Sequence, residues 1–339
     1  MNISSNLLSS NADQNIRDIF AMTFELYKIA EMNKNLYKSQ DKDIPKKLIY
    51  LYYDEIKPDY NKMIYNFKKK YIINEAKVEK NDTKLEISGI GLVYDFIQNF
   101  NPSTDNFNIF ITGLQIHQLL YKPLDDKNRE KCEKAYSDAY KMQEEAKKEK
   151  NLEKYKKSKE LLKELSVNNA QFGGALRDSE VLLNDLDVDV PSAEEAKKFY
   201  NTYLSKEKTI EYQNMLSNMD IFNYIDYCIY TVTKLIKYQP FADGNKRTFR
   251  SLLNLMFKNR NIPPVYISSN ERKDYKNLLI NALENEKYDE LYHFYYYKIC
   301  DSIYELDIKP YLDQRKIENS KKLTKNINDL NILFKNTED

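Results

Sequence analysis

Apolar residues recur at helical intervals along most of this chain. Between Ile16 and Asn33 the stripe is Ile19, Phe20, Phe24, Leu26, Tyr27 and Ile29, the spacing of an amphipathic helix. A second helical stretch runs from about Pro45 to Tyr65. Further on, Ile221, Phe222, Ile225, Cys228, Ile229, Val232, Leu235 and Ile236 share one helical face. That helix should stop near Tyr238, because Pro240 disfavours helical backbone at the residue before it. Another stripe, Phe249, Leu252, Leu253, Met256 and Phe257, runs to about Asn261, ahead of Pro263 and Pro264. Strand character is confined to about 175–190, where Val181-Leu182-Leu183 and Val188-Asp189-Val190 flank an Asn184-Asp185 turn. The pattern predicts a mainly α protein with one small β-hairpin.

Composition bounds what such a protein does. The 339 residues hold one large domain plus an appendage, and six glycines are few enough to favour helices. Lys and Arg number 53 against 52 Asp and Glu. That balance argues against a nucleic-acid binder, which carries a basic excess. Cys132, Cys228 and Cys300 are too few and too scattered for a disulfide framework or a metal site. No secretory signal opens the chain, and no apolar run reaches bilayer length. A cytoplasmic protein is expected, with export as an effector by dedicated machinery left open. The stretch 125–165 is dense in Lys and Glu, with sparse apolar positions. It reads as a charged helical hairpin. The tail 311–339, with Leu323, Ile327, Leu330, Ile332, Leu333 and Phe334, reads as one or two charged helices.

The corner between the two central helices carries the chemistry. It reads Gln239-Pro240-Phe241-Ala242-Asp243-Gly244-Asn245-Lys246-Arg247-Thr248-Phe249-Arg250. Gly244 permits a positive φ and a close backbone approach to a ligand. The amides after it open the second helix, so free N–H groups and the helix dipole favour an anion. Lys246, Arg247 and Arg250 add positive charge, and the two arginines offer forked donors to phosphate oxygens. Asp243, beside bound phosphates, suits magnesium. A solvated basic helix corner is the plain alternative; one acid, one glycine, one amide and three cations in eight residues favour an anion site.

These residues resemble the Fic family, also called Fido, whose motif is His-x-Phe-x-(Asp/Glu)-Gly-Asn-(Gly/Lys)-Arg-x-x-Arg. Seven of its eight specified positions match, at Phe241, Asp243, Gly244, Asn245, Lys246, Arg247 and Arg250. More loosely, Ile116 to Leu120 is similar to the family's helix before the flap, Leu176 to Val181 to its flap hairpin, and Ser268 to Tyr275 to its helix after the motif. The resemblance implies a Fic (Fido) helical fold with a β-hairpin flap, covering roughly 106–304. Residues 1–105 would be a helical N-terminal region, 125–165 an insertion in the core, and 305–339 a C-terminal tail. It also implies transfer of AMP from ATP, with Mg2+, onto a Ser, Thr or Tyr hydroxyl of a protein target docked at the flap. In that scheme Asp243 holds the metal. Gly244 and Asn245 form an anion hole, and Lys246, Arg247 and Arg250 grip phosphates.

One position departs from the motif. Gln239 stands at the place of the catalytic histidine, and an amide cannot carry a proton away. General-base catalysis supplies about 10²–10⁴-fold in rate, so binding should survive while transfer is weak or absent. His117 and His293 are the only histidines; packed core positions suit both. Three explanations stand. The chain is a nucleotide-binding pseudoenzyme or interaction module, or a different transferase using a sugar nucleotide. In the third, Gln239 is an introduced substitution. Family members also carry an inhibitory (Ser/Thr)-x-x-x-Glu-(Gly/Asn) helix whose glutamate pairs with the second motif arginine. Asp82-Thr83-Lys84-Leu85-Glu86-Ile87 offers Glu86 for Arg250, with both flanking positions off pattern; a solvated glutamate is the plain reading.

Overall fold

The computed structural model describes residues 3–34, 43–56, 60–78, 83–101, 107–149, 151–167, 172–179, 181, 188–319 and 321. Among the described residues all regular structure is helical. The turn of the expected hairpin, 182–187, lies outside them, as does the tail beyond Lys321. Residues 175–179 and 188–190, on either side of that turn, are not in strands. None of the described helices is long and apolar enough to cross a membrane. The chain divides into two compact units.

One unit joins residues 1–67, 261–265 and 289–339. It contains α1 (Ile3–Lys34), α2 (Asp43–Leu51), a π-helical turn (Tyr52–Ile56) and the start of α3 (Tyr60–Val78). Its other long helix, α12 (Asp289–Ile303), runs into a second π turn (Tyr304–Ile308). Aromatic rings fill the interior. Phe20 stacks on Tyr52, and Phe24 on Tyr304. Asp307 accepts from Tyr52 Oη at 3.0 Å and from Arg17 at 2.8 Å. Asp18 takes both a guanidinium Nε and Nη2 from Arg315, at 3.1 and 2.7 Å, the fork geometry that makes Arg–carboxylate pairs strong.

The other unit, 68–260 with 266–288, holds the central corner. Its helices are the end of α3, α4 (Lys84–Asn99), α5 (Ile109–Lys148), α6 (Leu152–Val167), α7 (Ala193–Asn201), α8 (Lys206–Asn218), α9 (Ile221–Tyr238), α10 (Asn245–Lys258) and α11 (Arg272–Asn285). Several of their starts carry side-chain caps of the usual kind. Asn108 Oδ1 accepts from the Phe110 and Ile111 amides, Asp220 Oδ1 from Phe222 and Asn223, and Ser192 with Glu195 forms a capping box. The charged stretch at 125–165 is the outer half of α5 plus α6. α5 passes through Pro123 without ending. Exposed pairs such as Lys147–Glu144 decorate this hairpin and contribute little individually.

α10 lies in the middle of its unit. From Arg247 to Lys258 every side chain is buried, so its polar groups need partners. Ser251 Oγ meets Tyr71 Oη at 2.8 Å. Lys258 Nζ donates to the Ile97 and Gln98 carbonyls at the end of α4, where a cation also meets the negative end of the helix dipole. A relay runs from Asn259 Nδ2 through the hydroxyls of Tyr212 and Tyr224 to the Met256 carbonyl. α4 comes close to α5 at Gly89, where a built Cβ would sit 2.0 Å from the Leu120 carbonyl oxygen.

Candidate functional site

The site is the turn between α9 and α10. α9 ends at Tyr238, as Pro240 requires, and Gln239 caps it in the left-handed region at φ 46° and ψ 60°. Such backbone strains a residue with a Cβ by roughly 1–3 kcal/mol. The side chains around it hold the conformation. Gln239 Nε2 donates to the Ile236 carbonyl at 2.5 Å, and Gln239 Oε1 accepts from Asn245 Nδ2 at 3.0 Å. Asn245 also accepts from the Phe241 amide at 2.9 Å and donates to the Phe241 carbonyl at 2.8 Å. One buried amide therefore stitches the two ends of the turn together. The Gln239 amide faces inward with both polar atoms engaged.

Phe241 is fully buried. Its ring stacks on His117 of α5, with centroids 3.9 Å apart and planes 6° from parallel. His117 Nδ1 accepts the Gly174 amide at 2.8 Å, which leaves Nε2 as the protonated nitrogen, donating to the Asp243 carbonyl at 3.0 Å. Burial pushes the imidazole down to about 4, so it is neutral near pH 7. It is the packed, hydrogen-bonded histidine expected from its helix. Asp125, two turns further along α5, accepts from the Phe172 and Gly173 amides and anchors the same chain segment.

Tyr121 lies one turn beyond His117 on the same face of α5. Its hydroxyl donates to Asp243 Oδ2 at 2.8 Å and accepts from Arg247 Nη2 at 3.1 Å. Burial raises the phenol far above its ordinary range, so it remains a donor. Gly244 follows at φ 75°. A Cβ there would meet the Tyr121 ring at 2.7 Å, so both backbone and space call for glycine. Gly244 brings no side-chain cap to α10, and its own N–H donates to Asp243 Oδ1 at 2.6 Å. The Asp243 side chain is otherwise two-thirds exposed, at 66%.

The arginines behind the turn face carboxylates. Arg247, with a side chain 4% exposed, has Nη1 3.5 Å from Glu86 and Nη2 3.6 Å from Asp243. Its Nη1 has no hydrogen-bond partner despite its burial. Glu86 is held by the Thr83 hydroxyl at 2.7 Å. Arg250 donates through Nε and Nη2 to Glu75 of α3, at 3.0 and 2.7 Å, and both side chains are almost fully buried. The partner expected for Arg250 was Glu86; the structure gives Arg250 Glu75 and sets Glu86 beside Arg247 instead. Lys246 is half-buried at the start of α10.

Sequence reasoning thus brought Gln239, Phe241, Asp243, Gly244, Asn245, Arg247 and Arg250 to one corner and missed three contributors. Tyr121 was open to discovery, since it follows His117 by four residues and shares its face. Glu75 and Arg177, which binds the turn's carbonyls, carry no local signal of their contacts.

Comparison with known proteins adds a family. Residues 113–257 match the Fic/DOC family. Proteins named protein adenylyltransferase Fic from Drosophila persimilis and Drosophila pseudoobscura pseudoobscura are 37% identical over 62 residues. That match covers 18% of this chain and 12% of those relatives. Two structures of Fic-1 from C. elegans, each 14% identical, align over 92% and 89% of this chain and 76% and 81% of theirs, with TM-scores of 0.44 and 0.48. The corner built by α9 and α10 lies inside residues 113–257, the segment that matches the Fic/DOC family.

Proposed function

We propose that the α9–α10 corner grips the phosphates of a nucleoside triphosphate, and that the chain is a Fic-type nucleotidyltransferase relative whose transfer step is weak or absent. The observation that carries this reading is Arg247. Its guanidinium is buried, its Nη1 has no hydrogen-bond partner, and Glu86 and Asp243, at 3.5 and 3.6 Å, pair with it by charge alone. A buried donor left without a hydrogen bond is costly. Phosphate oxygens over the turn would complete its donors in the fork geometry it prefers. The left-handed Gly244 and the uncapped start of α10 add amides and a dipole of the right sign. The name of the Drosophila relatives agrees with AMP as the group transferred.

Magnesium fits the same corner. It binds through one or two carboxylates plus substrate phosphates rather than a cage of protein ligands, and Asp243 is a single, largely exposed carboxylate. No cluster of three acidic, histidine or cysteine side chains suited to a metal occurs among the described residues. When bound, magnesium supplies charge neutralisation across the phosphates. Asp243 would hold it, with Tyr121 and the Gly244 amide orienting the carboxylate.

In AMP transfer a target hydroxyl oxygen bonds to the α-phosphorus and pyrophosphate leaves, so the hydroxyl proton needs an acceptor. Gln239 does not titrate, and both ends of its amide are engaged. His117 is no substitute: its lone pair holds Gly174 and its proton lies on the Asp243 carbonyl. The missing base should cost about 10²–10⁴-fold. We further assign the inhibitory role to Glu75 rather than Glu86, because a phosphate reaches Arg250 only by displacing that carboxylate. A protein target would dock at the flap, 175–190.

Calorimetry of Mg·ATP with the chain and with Arg247→Ala tests the binding claim. Binding by the parent and its loss in the variant are expected. No binding by either removes the nucleotide reading and leaves an interaction module. Label transfer from ATP, UTP and sugar nucleotides into lysate proteins, by the chain and by Gln239→His, tests the chemistry. Transfer from ATP that appears only with the histidine is the expected result. Equal transfer by both, or transfer from a sugar nucleotide alone, defeats the claim about the base.

A further inference from the structure

Arg177 is 2% exposed. Among the described residues its guanidinium donates to backbone carbonyls. Nε donates to Gln239 at 2.6 Å, Nη1 to Ser179 at 2.9 Å, and Nη2 to Pro191 and, at 3.4 Å, to Tyr238. Its backbone amide donates to the Pro240 carbonyl at 2.9 Å. Three consecutive carbonyls, those of Tyr238, Gln239 and Pro240, therefore accept from one residue. They belong to the last residue of α9 and the two that follow it, where helix carbonyls have no partners within the helix, and the positive guanidinium sits at the negative end of that helix. The middle one belongs to the strained, left-handed Gln239.

We propose that Arg177 is a positioning residue for the corner. It fixes the direction in which the chain leaves α9, and so where Asp243, Gly244 and Arg247 present themselves. The inference rests on the reading of that corner as a phosphate grip. The same guanidinium ties Ser179 to Pro191, so the approach to the turn and the turn itself share one anchor. Arginine suits this task because its planar fork offers donors in several fixed directions. A lysine has one point charge with three donors. Arg177→Lys thus keeps the charge at the end of α9 and loses the geometry.

The chain's six glycines make the test direct. Selective 15N-glycine labelling gives six amide signals. Gly244 reports on the turn, Gly173 and Gly174 on the segment leading into Arg177, and Gly89, Gly91 and Gly113 on α4 and α5. In Arg177→Lys the signals of Gly244 and Gly174 should move while those of Gly89, Gly91 and Gly113 hold, and the Kd for Mg·ATP should rise about tenfold, since a small misplacement of gripping groups is costly. Arg177→Gln, which retains an amide donor, is the second variant. A Gly244 signal that stays in place in both variants overturns the proposal. So does loss of all six signals' dispersion in both, which would make Arg177 a general stability residue. If the parent binds no Mg·ATP, the nucleotide reading fails, yet the Gly244 signal still decides whether Arg177 sets the turn.

Discussion

Removing the Glu75 carboxylate should both destabilise this protein and open its corner to phosphate. The pair it forms with Arg250 is bidentate, with both side chains almost fully buried. Glu75→Ala leaves the guanidinium without that counter-charge, and breaking one side of such a pair costs about 3–5 kcal/mol. At roughly 2–4 °C per kcal/mol for a unit of this size, the unfolding midpoint should fall by on the order of 10 °C. A polyphosphate can then supply the lost charge. If Arg250 recovers hydrogen bonds to a charged group worth about 1.5–3 kcal/mol, affinity for Mg·ATP should rise roughly ten- to hundredfold. Thermal unfolding with and without Mg·ATP reads the first effect, and calorimetry the second. Glu75→Gln, which keeps the shape and part of the hydrogen bonding, should fall between the parent and Glu75→Ala in both. A Glu75→Ala protein as stable as its parent would contradict the buried-pair energetics. One that is destabilised yet binds nucleotide no better would show that Arg250 is not a phosphate ligand.

Other consequences follow from the same geometry. Gly244→Ala places a Cβ 2.7 Å from the Tyr121 ring at a positive φ; it should cost roughly 1–3 kcal/mol in urea unfolding, and a cost below about 0.5 kcal/mol would disprove the close approach. His117 has a folded pKa lowered to about 4 by burial, so its contribution is full above its ordinary value near 6.5 and is lost as pH falls towards 4. That is about 3 kcal/mol, and the slope of stability against pH in that window should flatten in His117→Gln. Lys258→Met removes the donor held by the Ile97 and Gln98 carbonyls and should cost about 1.5–3 kcal/mol; an unchanged denaturation midpoint would mean those carbonyls find other donors.

Much of the corner was legible because its determinants are local. The stripe from Ile221 to Ile236 and the restriction imposed by Pro240 place the end of α9, and Gly244 marks the start of α10 because few residues tolerate its backbone. The partners of the arginines were not legible. Glu75 lies on α3, far along the chain from Arg250, and nothing in Tyr71-Ile72-Ile73-Asn74-Glu75 distinguishes it from an ordinary helical glutamate. Motif matching led instead to Glu86, whose cap with Thr83 is real but which faces Arg247. The role of Gln239 was half visible. Its inability to take a proton follows from its chemistry, whereas its use as a helix-end brace depends on Asn245 folding back onto it. The continuity of α5 was not legible either: the Ile116–Leu120 helix and the first arm of the charged stretch at 125–165 are one helix, which runs through Pro123.

The contact at Gly89 bears on how the corner is held. α4 touches α5 there backbone to backbone, with no side chain between to act as a cushion. One helical turn to either side stand Leu85 and Val93, so sliding α4 along its neighbour would drive a branched chain into the Leu120 carbonyl. The spacing of Glu86 from Tyr121 is therefore set by a backbone-to-backbone contact one turn from Glu86 and next to Tyr121. The close approach at Gly89 thus ties the position of α4, and with it Glu86, to α5.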